Sequence, residues 1–330
     1  MPKFSKLYDF RKKKLTKIKG DASFRQFYRK KLNSKSSIIV YANKEKVKNL
    51  LIYDAVNKLL IKNRILAPKL YKENFSKNYI EVTDLGENTV FDILNNRKKN
   101  NFKIFKEIIL LLRKIQKIKK IRVKNFKKIN YKIPNYSNNL LFKEAKLFCD
   151  WYVPTIMSKK KTKLINRELV KKIKFFLSKL KQKNDTFVNR DFHVSNLMMF
   201  KNRYGVIDNQ DAVVGNRSYD LASLIDDVRF KTPTKLKKQV FEFYLNINKE
   251  ELNLQKFKND FDILSVLRNL KIIGIFTRLA KRDKKYNYLK FIPYTWKLIE
   301  LRISDNFLLE DLKNFLDKNF SRKIRNKNGN

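Results

Sequence analysis

The stretch Asn189-Arg190-Asp191-Phe192-His193-Val194-Ser195-Asn196 constrains this chain more than any other part of it. An aspartate is followed five residues later by an asparagine, and twelve residues beyond that comes Asp208, at the end of Gly205-Val206-Ile207. Between them, the apolar runs Leu197–Phe200 and Tyr204–Ile207 flank a polar turn at Lys201–Arg203, which predicts two short strands. Tyr219-Asp220-Leu221-Ala222 then opens a helical pattern. Taken singly, each piece is ordinary. D-x-x-x-x-N arises by chance, Asp208 could be a strand-end turn residue, and Asp220 could cap a helix. In this order and at this spacing they constrain the fold together.

The Asp191 to Asn196 interval is the catalytic-loop spacing of kinases. An aspartate beside an attacking hydroxyl accepts its proton, and the asparagine reaches back to a magnesium ion on the phosphates. One loop thus fixes nucleophile and metal relative to each other, and positioning supplies much of phosphoryl-transfer catalysis. Asp208, ending an apolar strand, can present its carboxylate to the same metal. A buried Asp220 can accept backbone N–H bonds from the loop and hold it rigid.

With 330 residues, 43% hydrophobic and 13% aromatic, the chain can bury a real core and is expected to form two lobes. Its formal net charge is +47, from 78 basic and 31 acidic residues. Such a field attracts anions, a nucleotide triphosphate or an RNA among them. The basic runs Arg11–Lys14, Lys117–Lys120, Lys159–Lys161 and Lys284–Lys285 are scattered, however. That scatter fits compositional drift onto solvated faces better than a dedicated nucleic-acid stripe, so nucleic acid is not the expected partner. A single cysteine, Cys149, excludes an intramolecular disulfide and fits a reducing cytoplasm. A single histidine, His193, argues against a zinc site built on His and Cys. No signal-peptide-length apolar stretch or membrane span is expected.

Glycine is scarce, with six in the chain, and four of them (Gly20, Gly86, Gly205 and Gly215) fall inside recognisable motifs. They are expected where the backbone needs unusual dihedrals or close approach. Residues 4–17 carry apolar positions suggesting a short helix. A hairpin is expected from Phe24–Leu32 and Ser37–Tyr41, turning at Asn33–Ser36. A helix should follow over residues 44–63, stopped at Ala67-Pro68, then a strand at Lys77–Val82. Beyond it the chain reads as mostly helical. One apolar face runs through Ile104, Ile108, Leu111, Leu112, Ile115 and Ile118. Another runs through Leu140, Leu141, Glu144, Phe148, Trp151 and Tyr152, with Ser137 or Asn138 as N-cap. The tail Ser321–Asn330 is expected to fray.

The stretch VNRDFHVSNLMMFKNRYGVIDNQDAVVGNRSYDLASLIDD resembles the core of the aminoglycoside phosphotransferase and choline kinase superfamily, and within it bacterial anomeric kinases of N-acetylmuramate and N-acetylglucosamine. Four further segments resemble that narrower family. They are Gly20–Arg29 (a phosphate loop and first strand), Thr83-Asp84-Leu85-Gly86 (an interlobe hinge), Leu140–Tyr152 (an insert helix) and Arg268–Leu279 followed by Arg282-Asp283 (a late helix). The likeness spans about residues 20–300.

It implies an α+β, two-lobed, protein-kinase-like fold with ATP in the cleft. A small β-rich N-lobe would occupy residues 1–86 and a mainly helical C-lobe residues 87–330. Val82, Thr83, Asp84 and Leu85 would bond the adenine through their backbone, and Ser23, Phe24 and Arg25 would cover the phosphates, Arg25 as a charge clamp. Asp191 would be the base, Asn196 and Asp208 the Mg2+ ligands, and Asp220 the structural support. Glu144, Trp151, Asp211 and Arg278 would face a small-molecule sugar, with Trp151 and Tyr152 as rings that could stack on it and Arg278 or Arg282 meeting a muramate carboxylate; core and surface roles stay open for these side chains.

Three departures from the family pattern stand out. Asn189 precedes Arg190 where the family often carries His. Asn209 replaces the usual aromatic after the metal-binding aspartate. The strand Ser37-Ile38-Ile39-Val40-Tyr41 lacks the lysine that pairs with nucleotide phosphates in many kinases, which leaves open the cation that replaces it. Two alternatives remain: another small-molecule kinase, for an aminoglycoside, choline or other amino alcohol, and a non-catalytic RNA- or partner-binding pseudokinase.

Overall fold

A computed structural model describes residues 14–18, 25–32, 35–96 and 101–326. The chain divides into two compact units, one of residues 1–134 with 194–213 and the other of residues 135–193 with 214–330. The first unit extends past the expected lobe boundary at residue 86, and the unit boundary at 193/194 falls inside the loop that carries Asp191 and Asn196.

The first unit is built on an antiparallel five-stranded sheet in the order β1-β2-β3-β5-β4. The strands are β1 (Lys14–Ile18), β2 (Gln26–Leu32), β3 (Lys35–Tyr41), β4 (Leu70–Asn74) and β5 (Tyr79–Thr83). The side-chain period of two sends Val40, Ala42, Ile80 and Val82 to one face, where they bury Leu50 and Tyr53 of helix α1 (Asn49–Lys62). Tyr28, Ile39, Tyr41 and Tyr79 cluster on the other. Fully burying a side chain such as Val40 or Ile80 contributes about 1.5–3 kcal/mol, so α1 is held by tertiary packing more than by propensity. The helix stops before Pro68. Ile65 N–H bonds the Leu60 carbonyl, Arg64 N–H bonds that of Ile61, and Arg64 takes φ +58°, the left-handed position glycine usually fills.

Two strands differ from expectation. Residues 14–17 lie in β1, paired with β2 from Lys14↔Lys31 to Ile18↔Phe27, and not in a helix; the rest of that expected helix lies outside the described residues. A free edge on β2 offers a ladder of backbone bonds that a weak helical period cannot match. Strand β4 was not expected, because its residues are largely exposed and polar, as suits a sheet edge.

Helices α2 (Val90–Asn95) and α3 (Asn101–Gln116) follow, and the expected hairpin forms as Leu197–Phe200 against Arg203–Val206. Gly205 is required there. A Cβ would stand 2.6 Å from both the Leu66 side chain and its carbonyl oxygen, while Val206 N–H bonds that carbonyl at 2.9 Å.

The second unit is mainly helical. Helix α4 (Asn138–Ala145) is capped by Ser137, whose Oγ accepts from Leu140 N–H at 3.2 Å. The expected continuous helix to residue 152 changes register instead, with Phe148–Tyr152 forming a π-helical turn. Here the Leu147 backbone packs on Gly274 of a long helix (Leu254–Asp283), where a Cβ would meet Leu147 C at 2.3 Å. Tyr152 is core: with Phe148, Trp296 and Phe320 it forms an aromatic cluster, and its hydroxyl accepts from Trp296 Nε1 at 3.2 Å. Helix Lys159–Ser178 lies in the part expected to be mostly helical but was not singled out there, since its lysine-rich start masks the apolar series Ile165, Leu169, Ile173 and Phe176. The tail expected to fray from Ser321 is ordered through Asn326, and residues 327–330 lie outside the described residues. Residues Arg322–Asn326 are helical, and buried Arg325 lies over Trp296 while pairing with Glu300 at 2.6 Å and Asp317 at 2.7 Å. Among the described residues no helix is long and apolar enough to cross a membrane.

Candidate active site

In the first unit the hairpin brings Asn196 and Asp208 to its open end. Ile207 N–H donates to the Asn196 carbonyl at 3.0 Å, closing the hairpin between them. The hairpin is in turn strapped to the chain before α2 by Met199 N–H on the Asn88 carbonyl at 2.9 Å. Asp208 follows with φ +61°, a left-handed conformation that turns the chain sharply after the strand.

One oxygen of Asp208 receives Arg25 Nη2 at 2.7 Å, and Arg25 Nη1 donates to Asn49 Oδ1 at 2.9 Å. The guanidinium also lies 5.9 Å from the Phe27 ring centre and 5.8 Å from that of Tyr53. Asn49, Tyr53 and Asn57 stand four residues apart and so share one face of α1. Asn57 Oδ1 accepts from Asn209 Nδ2 at 2.9 Å, and Asn209 also donates to the Val206 carbonyl at 3.1 Å. The residue expected to carry an aromatic ring is thus replaced by a buried amide pair. Burial pushes the Tyr53 hydroxyl far above its ordinary value, against the pull of Arg25, so it stays neutral. Sequence reasoning missed Asn49, Tyr53 and Asn57. The available signal was their spacing of four on a helix whose other face is apolar.

At the expected hinge, Val82 is buried and Thr83 N–H bonds the Lys69 carbonyl at 2.8 Å. The Asp84 side chain is a clasp: it takes Arg29 Nε at 2.7 Å and Gly86 N–H at 2.9 Å. Burial works to raise its pKa, but Arg29 and the Gly86 amide outweigh it and hold the carboxyl below its ordinary range. Gly86 takes φ +83°, as its place in the turn requires. Leu85 is buried beside it. Asp211 is exposed and accepts from Gln210 Nε2 at 2.9 Å. Ser23 and Phe24 lie outside the described residues.

In the second unit, strand Asn184–Val188 leads into the loop. Asp220, fully buried, accepts from the Asn189 and Arg190 amides at 2.6 and 3.0 Å. Arg190, immediately before Asp191, has φ +73°, and its side chain is held as well. It pairs with Glu144 and lies 5.3 Å over the Tyr136 ring. Glu144 also accepts from Tyr136 and from Lys271 Nζ at 2.9 Å, and Lys271 reaches the Tyr219 hydroxyl at 3.2 Å. Burial raises the Glu144 pKa, but Lys271 and Arg190 prevail and hold it below the ordinary range. Glu144 is therefore engaged by the loop's own arginine. Trp151 is half-buried, its carbonyl accepting from Thr155 at 2.7 Å. Arg278 is half-buried, whereas Arg282 is exposed and pairs with Asp283 at 2.8 Å.

His193 is buried, and its imidazole is pushed down to about 3, by burial first and then by Arg229. It is neutral near pH 7, which disfavours a role as a proton donor. The unfolded value is about 6.5, so the unfolded chain binds the extra proton in the interval between. The stability this neutral ring contributes is complete above about pH 6.5 and is lost as pH falls toward 3. Burial pushes Asp220 up to about 7, which acts in the opposite sense over the same interval but cancels between two proteins that both carry it. The wild type should therefore lose up to about 1.4 kcal/mol per pH unit relative to His193→Asn between about pH 6 and 4. Urea unfolding of both across that range measures this, and a constant difference would overturn it.

Asn196 and Asp208 offer an amide and a carboxylate oxygen. These are hard donors of the kind magnesium accepts when nucleotide phosphates and water complete its octahedron. The chain belongs to the phosphotransferase enzyme family, whose model matches residues 14–254. It is similar to the N-acetylmuramate/N-acetylglucosamine kinase of Pseudomonas putida, 27% identical over 284 residues that cover 84% of this chain and 80% of the relative. The protein of the same name from Neisseria meningitidis is 27% identical, covering 84% and 82%. The family match and the kinase relatives make this chain a kinase acting on a small molecule, with ATP as phosphoryl donor. Among solved structures, Plasmodium vivax ethanolamine kinase superposes with a TM-score of 0.59 at 17% identity, covering 88% of this chain and 82% of that one. An ADP-bound aminoglycoside phosphotransferase gives 0.55 at 14%, covering 87% and 92%.

Proposed function

We propose that this kinase transfers the terminal phosphoryl group of ATP to the anomeric hydroxyl of N-acetylmuramate or N-acetylglucosamine, in the cytoplasm, as a step of cell-wall sugar recycling. The observation that carries the reading is the similarity over 84% of the chain to kinases named for those two sugars. Asp191 accepts the proton of the sugar hydroxyl. The freed oxygen bonds to the terminal phosphorus as the bond to ADP breaks, and ADP leaves with the electron pair. An anomeric hydroxyl is more acidic than an ordinary alcohol, so a carboxylate suffices as base.

Asn196 and Asp208 would hold Mg2+, which when bound neutralises phosphate charge. Backbone groups of Val82–Leu85 would bond the adenine, and Arg25 with the segment around Ser23 and Phe24 would face the phosphates. Asp220 braces the loop from behind. Exposed Asp211 and half-buried Trp151 and Arg278 are the proposed sugar contacts, Arg278 suiting a muramate carboxylate. Glu144 serves the sugar indirectly, through Arg190.

The test is a panel assay with labelled ATP and Mg2+ over both amino sugars, choline, ethanolamine and kanamycin. Label should pass to an amino sugar with matching loss of its reducing end, because only anomeric phosphorylation removes it. Transfer to choline or kanamycin instead, or a labelled sugar that keeps its reducing end, overturns the assignment.

A further inference from the structure

The Ser37–Tyr41 stretch of strand β3 lacks a lysine, yet a cation is already seated beside the proposed metal ligand. The Arg25 side chain is 4% exposed and the Asp208 side chain 36%. A guanidinium so nearly removed from water needs partners, and α1 supplies the frame. Asn49 holds Nη1, and the Tyr53 and Phe27 rings lie against the plane. Nη2 is left on Asp208 Oδ1 at 2.7 Å. This is the oxygen-bearing group that would ligate a divalent cation, and a guanidinium at that distance repels such a cation while occupying one of its sites. Phosphate oxygens are a better match for the same fork. Turning about the Asn49 bond would let Nη2 exchange one anion for the other without exposing the buried stem.

We infer that Arg25 and a divalent cation compete for Asp208, and that a nucleotide polyphosphate resolves the competition by taking Arg25, so that metal enters only with nucleotide. The inference rests on the proposed role of Asp208, and it assigns Arg25 as the cation that stands in for the strand lysine.

Three affinities test it on the full chain: Mn2+ alone, ADP in EDTA, and Mg·ADP. Arg25→Gln should bind Mn2+ alone about tenfold tighter than wild type and metal-free ADP about tenfold weaker, the size of one charge-assisted bond. Asp208→Asn releases the arginine, so it should bind metal-free ADP about tenfold tighter, and the gain should vanish in the double variant. A misfolded protein cannot bind more tightly, so the gains separate the idea from simple damage. Unchanged Mn2+ affinity in Arg25→Gln, or a gain in Asp208→Asn that survives in the double variant, overturns the inference while leaving the kinase reading intact. A wild type that fails to bind Mg·ADP overturns both.

Discussion

Asp191→Asn should lower kcat by about 10²- to 10⁴-fold on whichever sugar the wild type prefers, the usual worth of a positioned general base. The reason lies in how little else should move. The loop around residue 191 is held from both sides. Asp220 fixes the Asn189 and Arg190 amides, and the Glu144 pair with the Tyr136 ring fixes the Arg190 side chain. Asparagine has the shape of aspartate, so those contacts survive and only the capacity to accept the proton goes. ATP affinity should consequently stay within about twofold, since in the proposed role of Asp191 the variant removes an interaction made in the transition state and not a ground-state contact. Steady-state kinetics beside nucleotide titration separates the two quantities. A variant that keeps wild-type kcat removes Asp191 from the chemistry. A variant that loses kcat and ATP binding alike gives residue 191 to nucleotide binding instead.

The second large effect is on stability. Asp226 is fully buried after helix Ser218–Ile225 and holds two cations at once, Lys237 Nζ at 2.9 Å and Arg302 Nε at 2.8 Å, with Ser265 Oγ donating at 2.6 Å. Asp226→Ala strands both cations in the interior, and breaking a buried pair from one side costs about 3–5 kcal/mol. Removing all three charges with residues of similar volume, as in Asp226→Leu with Lys237→Met and Arg302→Met, should recover most of that loss, because the burden is the unpaired charge and not the missing bond. Urea midpoints with their slopes measure both. A single variant within about 1 kcal/mol of wild type would contradict the buried-cluster account. Burial raises the Asp226 pKa, but Lys237 and Arg302 hold it well below the ordinary carboxylate range. The stability it contributes is therefore complete above about pH 4 and is lost on further acidification.

What could be read from the sequence was whatever the chain writes locally. The loop Asn189–Asn196, the hairpin and Asp208 lie within twenty residues, so their order and spacing were legible in the residues alone. Gly205 was legible as well, because a chain that discards glycine elsewhere keeps it where Leu66 leaves no room for a Cβ. The partners were not legible. Arg25 meets Asp208 across 183 residues and Asn209 meets Asn57 across 152, and no periodicity reports such distances. Glu144 was recognisable as a special helix residue, but only packing shows that Arg190, Lys271 and Tyr136 surround it. Edge strands β1 and β4 failed for a different reason. The residues of β4 are largely exposed, and in β1 half-buried Leu15 and Ile18 stand three apart, so the alternation that betrays a half-buried strand is absent from both. The last helix was hidden because its anchor, Arg325, looks like any other basic residue in a basic tail.

The amide pair between Asn57 and Asn209 has a genetic consequence. Either asparagine replaced alone leaves the other's buried amide short of one bond, at about 1–3 kcal/mol, whereas an apolar filling of both positions removes that bond from both sides and leaves the Val206 carbonyl and the Tyr53 hydroxyl, which the two amides also meet, to be satisfied. The two codons thus form a shallow valley that single steps cross poorly. Diversifying one of them by itself should return asparagine, and only paired randomisation opens the route to a ring at 209.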